Sequence, residues 1–194
     1  MLFFKSLLLG TLAMVFSAAT AAATVELAGV KVADSATVAG AKLQLNGAGI
    51  RYKFVKLYVG SLYTSKKVHT LEELLAAPGP KRMQLTFVRE MSSAPFGKLF
   101  TRGIEDNVPK ASFSKLVPSI IRMGDIFNAT KSFSPGEGII LDWVPGTGLV
   151  IYVKGQPWGE PFVDPEFFAA LMAIWFGPNP GDWKLKDTLL DVNK

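Results

Sequence analysis

The chain has 194 residues, nearly half of them apolar, and carries a formal net charge of +5 at pH 7. This length suits one domain with a sizeable core, and the basic residues are too scattered to indicate a nucleic-acid partner. With no cysteine and a single histidine, His69, the sequence excludes disulfides, thiol chemistry, a Ser–His–Asp triad and an ordinary zinc site, so we expect neither a metal nor another cofactor.

Residues 1–23 predict a secretory signal peptide. Lys5 precedes an apolar run at positions 7–16, and small residues follow, with A-x-A cleavage patterns near Ala21–Ala23. The alternative is a membrane anchor, but an apolar core of roughly ten residues is too short to span a bilayer. We therefore expect residues 24–194 to form a single domain, periplasmic or secreted after cleavage, with no stable membrane span.

Apolar segments separated by turn-forming residues predict roughly six to eight strands. They lie within 24–32, 36–45, 45–63, 81–90, 136–143 and 149–154. Helical spacing and capping signals predict roughly four or five helices. These lie at 71–77, 93–107, 112–129, 165–176 and 183–190, with Pro118 either bending the third helix or marking its start. The predicted N-terminal caps are Thr70 for the first helix, Asp164 followed by Pro165 for the fourth, and Gly181-Asp182 for the fifth. The pattern indicates an α+β fold with one antiparallel sheet and helices packed on one face.

The stretch from Leu45 to Tyr63 draws attention because it combines a glycine pair with an isolated arginine. Residues 46–49, Asn-Gly-Ala-Gly, predict a turn, and the alternation that follows predicts a strand. On an unbroken strand the odd positions from Arg51 to Tyr63 share one face. Arg51 is then either a strand-end arginine with its head in water or an anion-binding arginine at the mouth of an apolar cavity.

A second polar residue stands at the end of an apolar helical row. The row contains Phe96, Phe100 and Ile104, and its continuation to the eleventh residue after Phe96, three turns on, reaches Asn107. A core-facing amide must find hydrogen-bond partners. Asn107 therefore either caps the helix end before Pro109 or points into the same cavity as Arg51.

Several motifs occur in an order that resembles the chalcone isomerase-like family. They are GAGIR, KFVK with the strand ending LY, GPKRMQLTFVRE, IEDN, the GTG hairpin and the closing FFAALMAIWFGPNP. The resemblance covers nearly all of the chain after residue 23 and is greatest to the bacterial secreted branch of the family. It implies an antiparallel open-faced β-sandwich covered on one face by a helical layer, with a ligand cleft between sheet and helices.

The plant enzymes of this family close a flavanone ring with the help of an Arg, a Thr, a Tyr and an Asn. By motif, the resemblance keeps the Arg as Arg51 and the Asn as Asn107, whereas Tyr58 stands in place of the Thr and Phe100 in place of the Tyr. These four are the candidate ligand-binding residues. If the protein is an enzyme, Arg51, Asn107 and Tyr58 are the catalytic candidates.

The changed partners favour a binding protein, because the family's non-enzymatic branch includes fatty-acid binders. The first hypothesis is non-catalytic binding of a fatty acid or a similar amphipathic carboxylate in a cleft that ends at Arg51. The alternative is an isomerase acting on a chalcone-like phenolic enone. A third is a structural or partner protein in which Arg51 only completes the fold. We expect a monomer with a small amphipathic or phenolic ligand.

Overall fold

Eleven strands and five helices make up residues 24–192, the part of the chain that the computed structural model describes. The strands are β1 (Thr24–Leu27), β2 (Val30–Ala33), β3 (Ser35–Val38), β4 (Ala41–Lys53), β5 (Val55–Thr64), β6 (Lys81–Phe87), β7 (Met91–Ser92), β8 (Ser132–Phe133), β9 (Gly138–Val144), β10 (Gly148–Val153) and β11 (Gln156–Pro157). The helices are α1 (Leu71–Ala76), α2 (Ser93–Glu105), α3 (Lys110–Ala129), α4 (Pro165–Phe176) and α5 (Trp183–Leu189). The signal peptide predicted for residues 1–23 lies outside the described residues.

One antiparallel sheet of seven strands organises the molecule, in the order β11-β10-β9-β6-β5-β4-β3. Side chains alternate between its faces. Met83, Leu85 and Phe87 of β6 belong to the large core that the helices cover. Val59 and Tyr63 of β5 belong to a smaller cluster on the other face, which the β1–β2 hairpin joins. This arrangement confirms the predicted α+β fold with helices on one face.

Helices α1 and α4 begin where the capping signals predict. The Thr70 hydroxyl accepts from the Glu73 N–H at 3.1 Å before α1. The Asp164 carboxylate accepts from the Glu166 N–H at 2.8 Å, and Pro165 is the first residue of α4. Such caps satisfy backbone donors that lack partners inside the helix.

Helix α3 runs through Pro118 without a break, so a start near that residue is not observed. Leu116 and Met123 are both buried, and packing on both sides of Pro118 offsets the hydrogen bond that proline removes. In the described part of the chain, no helix is long and apolar enough to cross a bilayer.

The turn predicted at residues 46–49 is wrong, because β4 continues through it with a bulge near Gly47. Neither Gly47 nor Gly49 has a positive φ. A Cβ on Gly47 would collide with the carbonyl oxygens of Thr188 and Leu189, and one on Gly49 would lie 3.0 Å from the Thr188 Cβ. The two glycines therefore permit close packing of α5 on the sheet.

The unbroken strand predicted beyond Arg51 is also wrong. The chain reverses at Phe54, where φ is 61°, and Lys53 pairs with Val55 in a tight β4–β5 hairpin. Arg51 therefore lies directly opposite Tyr58 on the neighbouring strand. Opposed residues project from the same face, so Arg51 lies on the face that the helices cover.

Candidate functional site

A cleft of about 260 Å³ opens where the β4–β5 hairpin meets α2 and the segment that joins α4 to α5. Its walls are apolar and come from both layers: Leu57, Phe96, Leu99, Phe100, Ile174, Trp175 and Leu185. Its rim is charged: Arg51, Lys53, Arg102, Asp106 and Asp182. The cleft therefore joins an apolar interior to an ionic mouth, which is the shape that an amphipathic ligand requires.

Arg51 is held in place by an ion pair that sequence analysis did not find. Its Nη1 lies 3.1 Å from Asp182 Oδ2, and the two side chains are only 17% and 12% exposed. The other carboxylate oxygen of Asp182 accepts from the Leu185 N–H at 3.1 Å and so caps α5. Asp182 is the predicted cap of α5, but nothing in the local sequence indicates its partner Arg51 in β4.

The Asp182 carboxylate is stabilised in its charged form. Burial by itself raises its pKa, but hydrogen bonds from the N–H groups of Leu185 and Tyr52 and the contact with Arg51 outweigh burial, so the pKa lies below its ordinary value. Asp182 therefore stays ionised at neutral pH and fixes the direction of the Arg51 guanidinium.

Tyr58 places a neutral hydroxyl on the same wall as Arg51. The Trp175 Nε1–H donates to the Tyr58 oxygen at 3.0 Å, and both residues line the cleft. Burial raises the pKa of Tyr58 to about 12, although the hydrogen bond from Trp175 and the charge of Arg51 oppose the rise. Because the oxygen accepts from Trp175, the Tyr58 O–H proton remains able to donate to a ligand.

Phe100 is part of the apolar wall. Its ring is buried and stands edge-on to Trp175 with centroids 5.5 Å apart, and it also contacts Phe96 at 5.0 Å. This position has no polar atom to offer a ligand. The structure thus brings Phe100, Tyr58 and Arg51 together in one cleft.

Asn107 is not among the residues that line this cleft, which differs from the expectation that its amide points there. Its Nδ2 donates to the carbonyl oxygens of Gly103 and Asn179 at 2.8 and 2.9 Å, and its Oδ1 accepts from the Asn179 N–H at 2.8 Å. The backbone therefore engages the whole amide, in agreement with the alternative of a helix-end cap. Asn107 supports the cleft through Asn179, which does line it.

The rim carries three cations and two carboxylates, which gives it one net positive charge. Arg51 pairs with Asp182, and Arg102 pairs with Asp106 at 3.6 Å. Lys53 has no ion pair within the described residues. The net positive charge of the rim favours an anionic ligand. Residues 24–192 contain no cluster of His, Cys, Asp and Glu fit for a metal ion.

Comparison with known proteins places the chain in a family. A family model described as chalcone isomerase-like matches residues 23–191, whereas no curated protein matches the chain. Among solved structures, a fatty-acid binding protein of Arabidopsis thaliana is similar, with a TM-score of 0.70 and 14% identity over 88% of this chain and 97% of that chain. At this identity the likeness shows the fold alone. Because the family model spans most of its length, the chain belongs to the chalcone isomerase-like family.

Proposed function

We propose that this protein binds a fatty acid or a similar amphipathic carboxylate without catalysing a reaction. The observation that carries the proposal is Arg51, an oriented and mostly buried cation at the polar end of a cleft with apolar walls. A strand-end arginine with its head in water would be mostly exposed, and an arginine that completes a filled core would have no cleft beside it. Arg51 is mostly buried and lines a cleft.

The carboxylate head group is expected to bind between Arg51 and Tyr58. A guanidinium has five N–H donors, and the ion pair with Asp182 engages Nη1, so donors remain for a ligand. The neutral Tyr58 hydroxyl adds a further donor beside it. Lys53 contributes long-range attraction at the mouth. Charge-assisted hydrogen bonds of this kind are stronger than neutral ones.

The hydrocarbon tail is expected to lie against the aromatic walls of the cleft. Each methylene transferred from water contributes about 0.8 kcal/mol. The cleft volume of about 260 Å³ is small for a ligand site, since such sites usually span roughly 300–1,000 Å³. A chain of medium length therefore fits better than a long one. The Arabidopsis protein that shares the fold is a fatty-acid binding protein, which supports this class of ligand.

The isomerase alternative finds less support in the same geometry. The Asn107 amide is hydrogen-bonded to backbone groups outside the cleft, and Phe100 has no hydroxyl group. Preorganised donors aimed at the developing charge are the main source of catalysis in such a site. Conversion of a hydroxychalcone above background by the wild type, lost in Arg51→Gln, would favour the alternative over simple binding.

We also propose that the protein is exported after removal of residues 1–23. The basic residue, short apolar core and small residues of that segment support the proposal. Native mass spectrometry of the full-length gene product, expressed in a bacterium and recovered from the periplasm, tests export and binding together. The expected result is a protein lacking about 23 residues that carries a carboxylic acid released by organic extraction. A full-length mass would refute export, and a ligand-free protein that also fails to take up added fatty acid would refute binding.

Two variants show whether the ligand depends on the cleft. Arg51→Gln removes the cation from the cleft, and Arg82→Gln is the matched control. Arg82 forms a bidentate pair with Asp142 at 2.6 and 2.7 Å and does not line the cleft. We expect loss of the bound acid in Arg51→Gln and retention in Arg82→Gln. Retention in both variants would contradict the role of Arg51.

A further inference from the structure

The end of the β4–β5 hairpin, residues 52–56, exposes apolar side chains beside the cleft. We call this segment the hairpin tip. Phe54 is 88% exposed, and Tyr52 and Val55 are also exposed. Trp183, at the start of α5, is exposed too, and the Tyr52 N–H donates to the neighbouring Asp182. Clusters of exposed apolar side chains mark interaction surfaces, whereas single ones need no explanation.

Phe54 occupies this position at a conformational disadvantage. Its φ of 61° is left-handed, a conformation that bulky side chains rarely adopt and that Gly or Asn would accept readily. The fold thus places an aromatic ring in water on a strained backbone. Stability does not account for such a choice, and strain of this kind often marks a functional segment.

The charge of the hairpin tip indicates what it contacts. The hairpin tip has the sequence YKFVK, with two lysines and no acidic residue. Aromatic side chains favour the interface between a membrane and water, and basic residues are attracted to anionic lipid head groups. Aromatic rings interleaved with lysines therefore complement the surface of an anionic bilayer.

The hairpin tip is continuous with the mouth of the cleft. Arg51 and Lys53 belong to the same hairpin and line the rim, and the exposed Leu99 of α2 lines it from the other side. A bilayer that contacts Phe54 would therefore face the opening that leads to Tyr58.

We propose that the hairpin tip docks on an anionic bilayer and that the carboxylate ligand enters the cleft from that bilayer. The docking step stands by itself, whereas the entry step rests on the proposed fatty-acid binding. Docking is peripheral and involves only the surface of the membrane.

Vesicle sedimentation with the chain from residue 24 onward tests the docking step, because this segment contains every described element and the whole core. The vesicles contain phosphatidylcholine, either alone or in equal parts with phosphatidylglycerol. Phe54→Asn removes the ring and keeps a residue that tolerates positive φ. Val163→Asn is the matched control, since Val163 is also exposed but lies just before the N-terminal end of α4. The cleft is lined by Ile174 and Trp175, near the C-terminal end of that helix. Lys56→Glu tests the charge.

Wild-type protein is expected to sediment with the anionic vesicles and not with pure phosphatidylcholine. Phe54→Asn should weaken that partitioning by about tenfold or more, Lys56→Glu by about tenfold, and Val163→Asn by less than about twofold. No wild-type binding, equal binding by Phe54→Asn, or an equal loss in Val163→Asn would each overturn the docking step.

A transfer assay then tests the entry step. Phe54→Asn should bind a fluorescent fatty acid in solution as tightly as the wild type but take it up from anionic vesicles at least about tenfold more slowly. Equal uptake rates would overturn entry from the bilayer. Absence of fatty-acid binding in solution by the wild type would refute the proposed function while the sedimentation result still decides docking.

Discussion

Alanine at Gly47 should destabilise the protein strongly, because helix α5 leaves no room for a methyl group there. A Cβ at this position would meet two backbone carbonyl oxygens, those of Thr188 and Leu189. A backbone carbonyl cannot rotate away as a side chain can, so either β4 or α5 must shift. Overpacking usually costs about 1–3 kcal/mol, and we expect Gly47→Ala to lie near the upper value, about 3 kcal/mol.

Two other glycines form a graded series with Gly47. Gly49→Ala places its Cβ 3.0 Å from the Thr188 Cβ. This contact is tight but needs a much smaller shift than the one at Gly47, so a loss of about 1 kcal/mol is expected. Gly124 lies inside α3 with nothing within 4 Å, so Gly124→Ala should stabilise by about 0.5–1 kcal/mol through helix propensity.

Urea denaturation of the three variants measures these differences, with unchanged m-values as the check that two-state unfolding holds. A loss of 3 kcal/mol in a domain of this size corresponds to a fall in Tm of about 6–12 °C. If Gly47→Ala is as stable as Gly124→Ala, α5 does not pack on β4 as described. The support that α5 gives to Arg51 through Asp182 would then also be in doubt.

Three further predictions concern the cleft and its surroundings. Asp182→Asn keeps the α5 cap but loses the charge that faces Arg51. Because the pKa of Asp182 is lowered in the folded protein, its charge contributes to the free energy of unfolding above its ordinary pKa. That contribution is lost as the pH falls through the lowered pKa of the folded state. The wild type should therefore lose more stability on acidification than the variant does, which acid unfolding of both proteins measures. Tyr58→Phe leaves the buried Trp175 N–H without its acceptor, and denaturation should show a loss of about 1–3 kcal/mol of stability. In the wild type, ultraviolet titration should find that Tyr58 ionises only near pH 12. Asn107→Ala should cost about 1–2 kcal/mol of stability without changing fatty-acid affinity, and a tenfold loss of affinity in a protein that is otherwise folded would contradict its structural role.

The features that were predicted correctly are determined by residues close together in the sequence. The Thr70 cap of α1 and the Asp164–Pro165 start of α4 depend on residues within one turn, and both are present as predicted. Apolar periodicity also identified the helical layer and the strands beneath it. These local signals were sufficient to predict the fold class.

The wrong predictions concern features that depend on distant parts of the chain. Gly47 resembles a turn residue, but a glycine is needed there because the backbone of Thr188, far away in sequence, packs against it. The chain reverses at Phe54, which carries no turn signal of its own. Arg51 was therefore predicted to share a face with the odd positions of β5, whereas it lies on the same face as Tyr58. Arg51 itself was correctly singled out, whereas its partner Asp182 was recognised only as a helix cap.

The most direct test of the account compares dodecanoate with dodecanol by displacement of a fluorescent fatty acid from the cleft. The two ligands share a tail and differ in the charge of the head group, so their affinity ratio isolates the contribution of Arg51. We predict that wild-type protein prefers dodecanoate by about tenfold or more, since charge-assisted hydrogen bonds contribute about 1.5–3 kcal/mol, and that Arg51→Gln loses this preference while Arg82→Gln retains it. Equal affinity of the wild type for both ligands, or an undiminished preference in Arg51→Gln, would contradict a carboxylate site at Arg51.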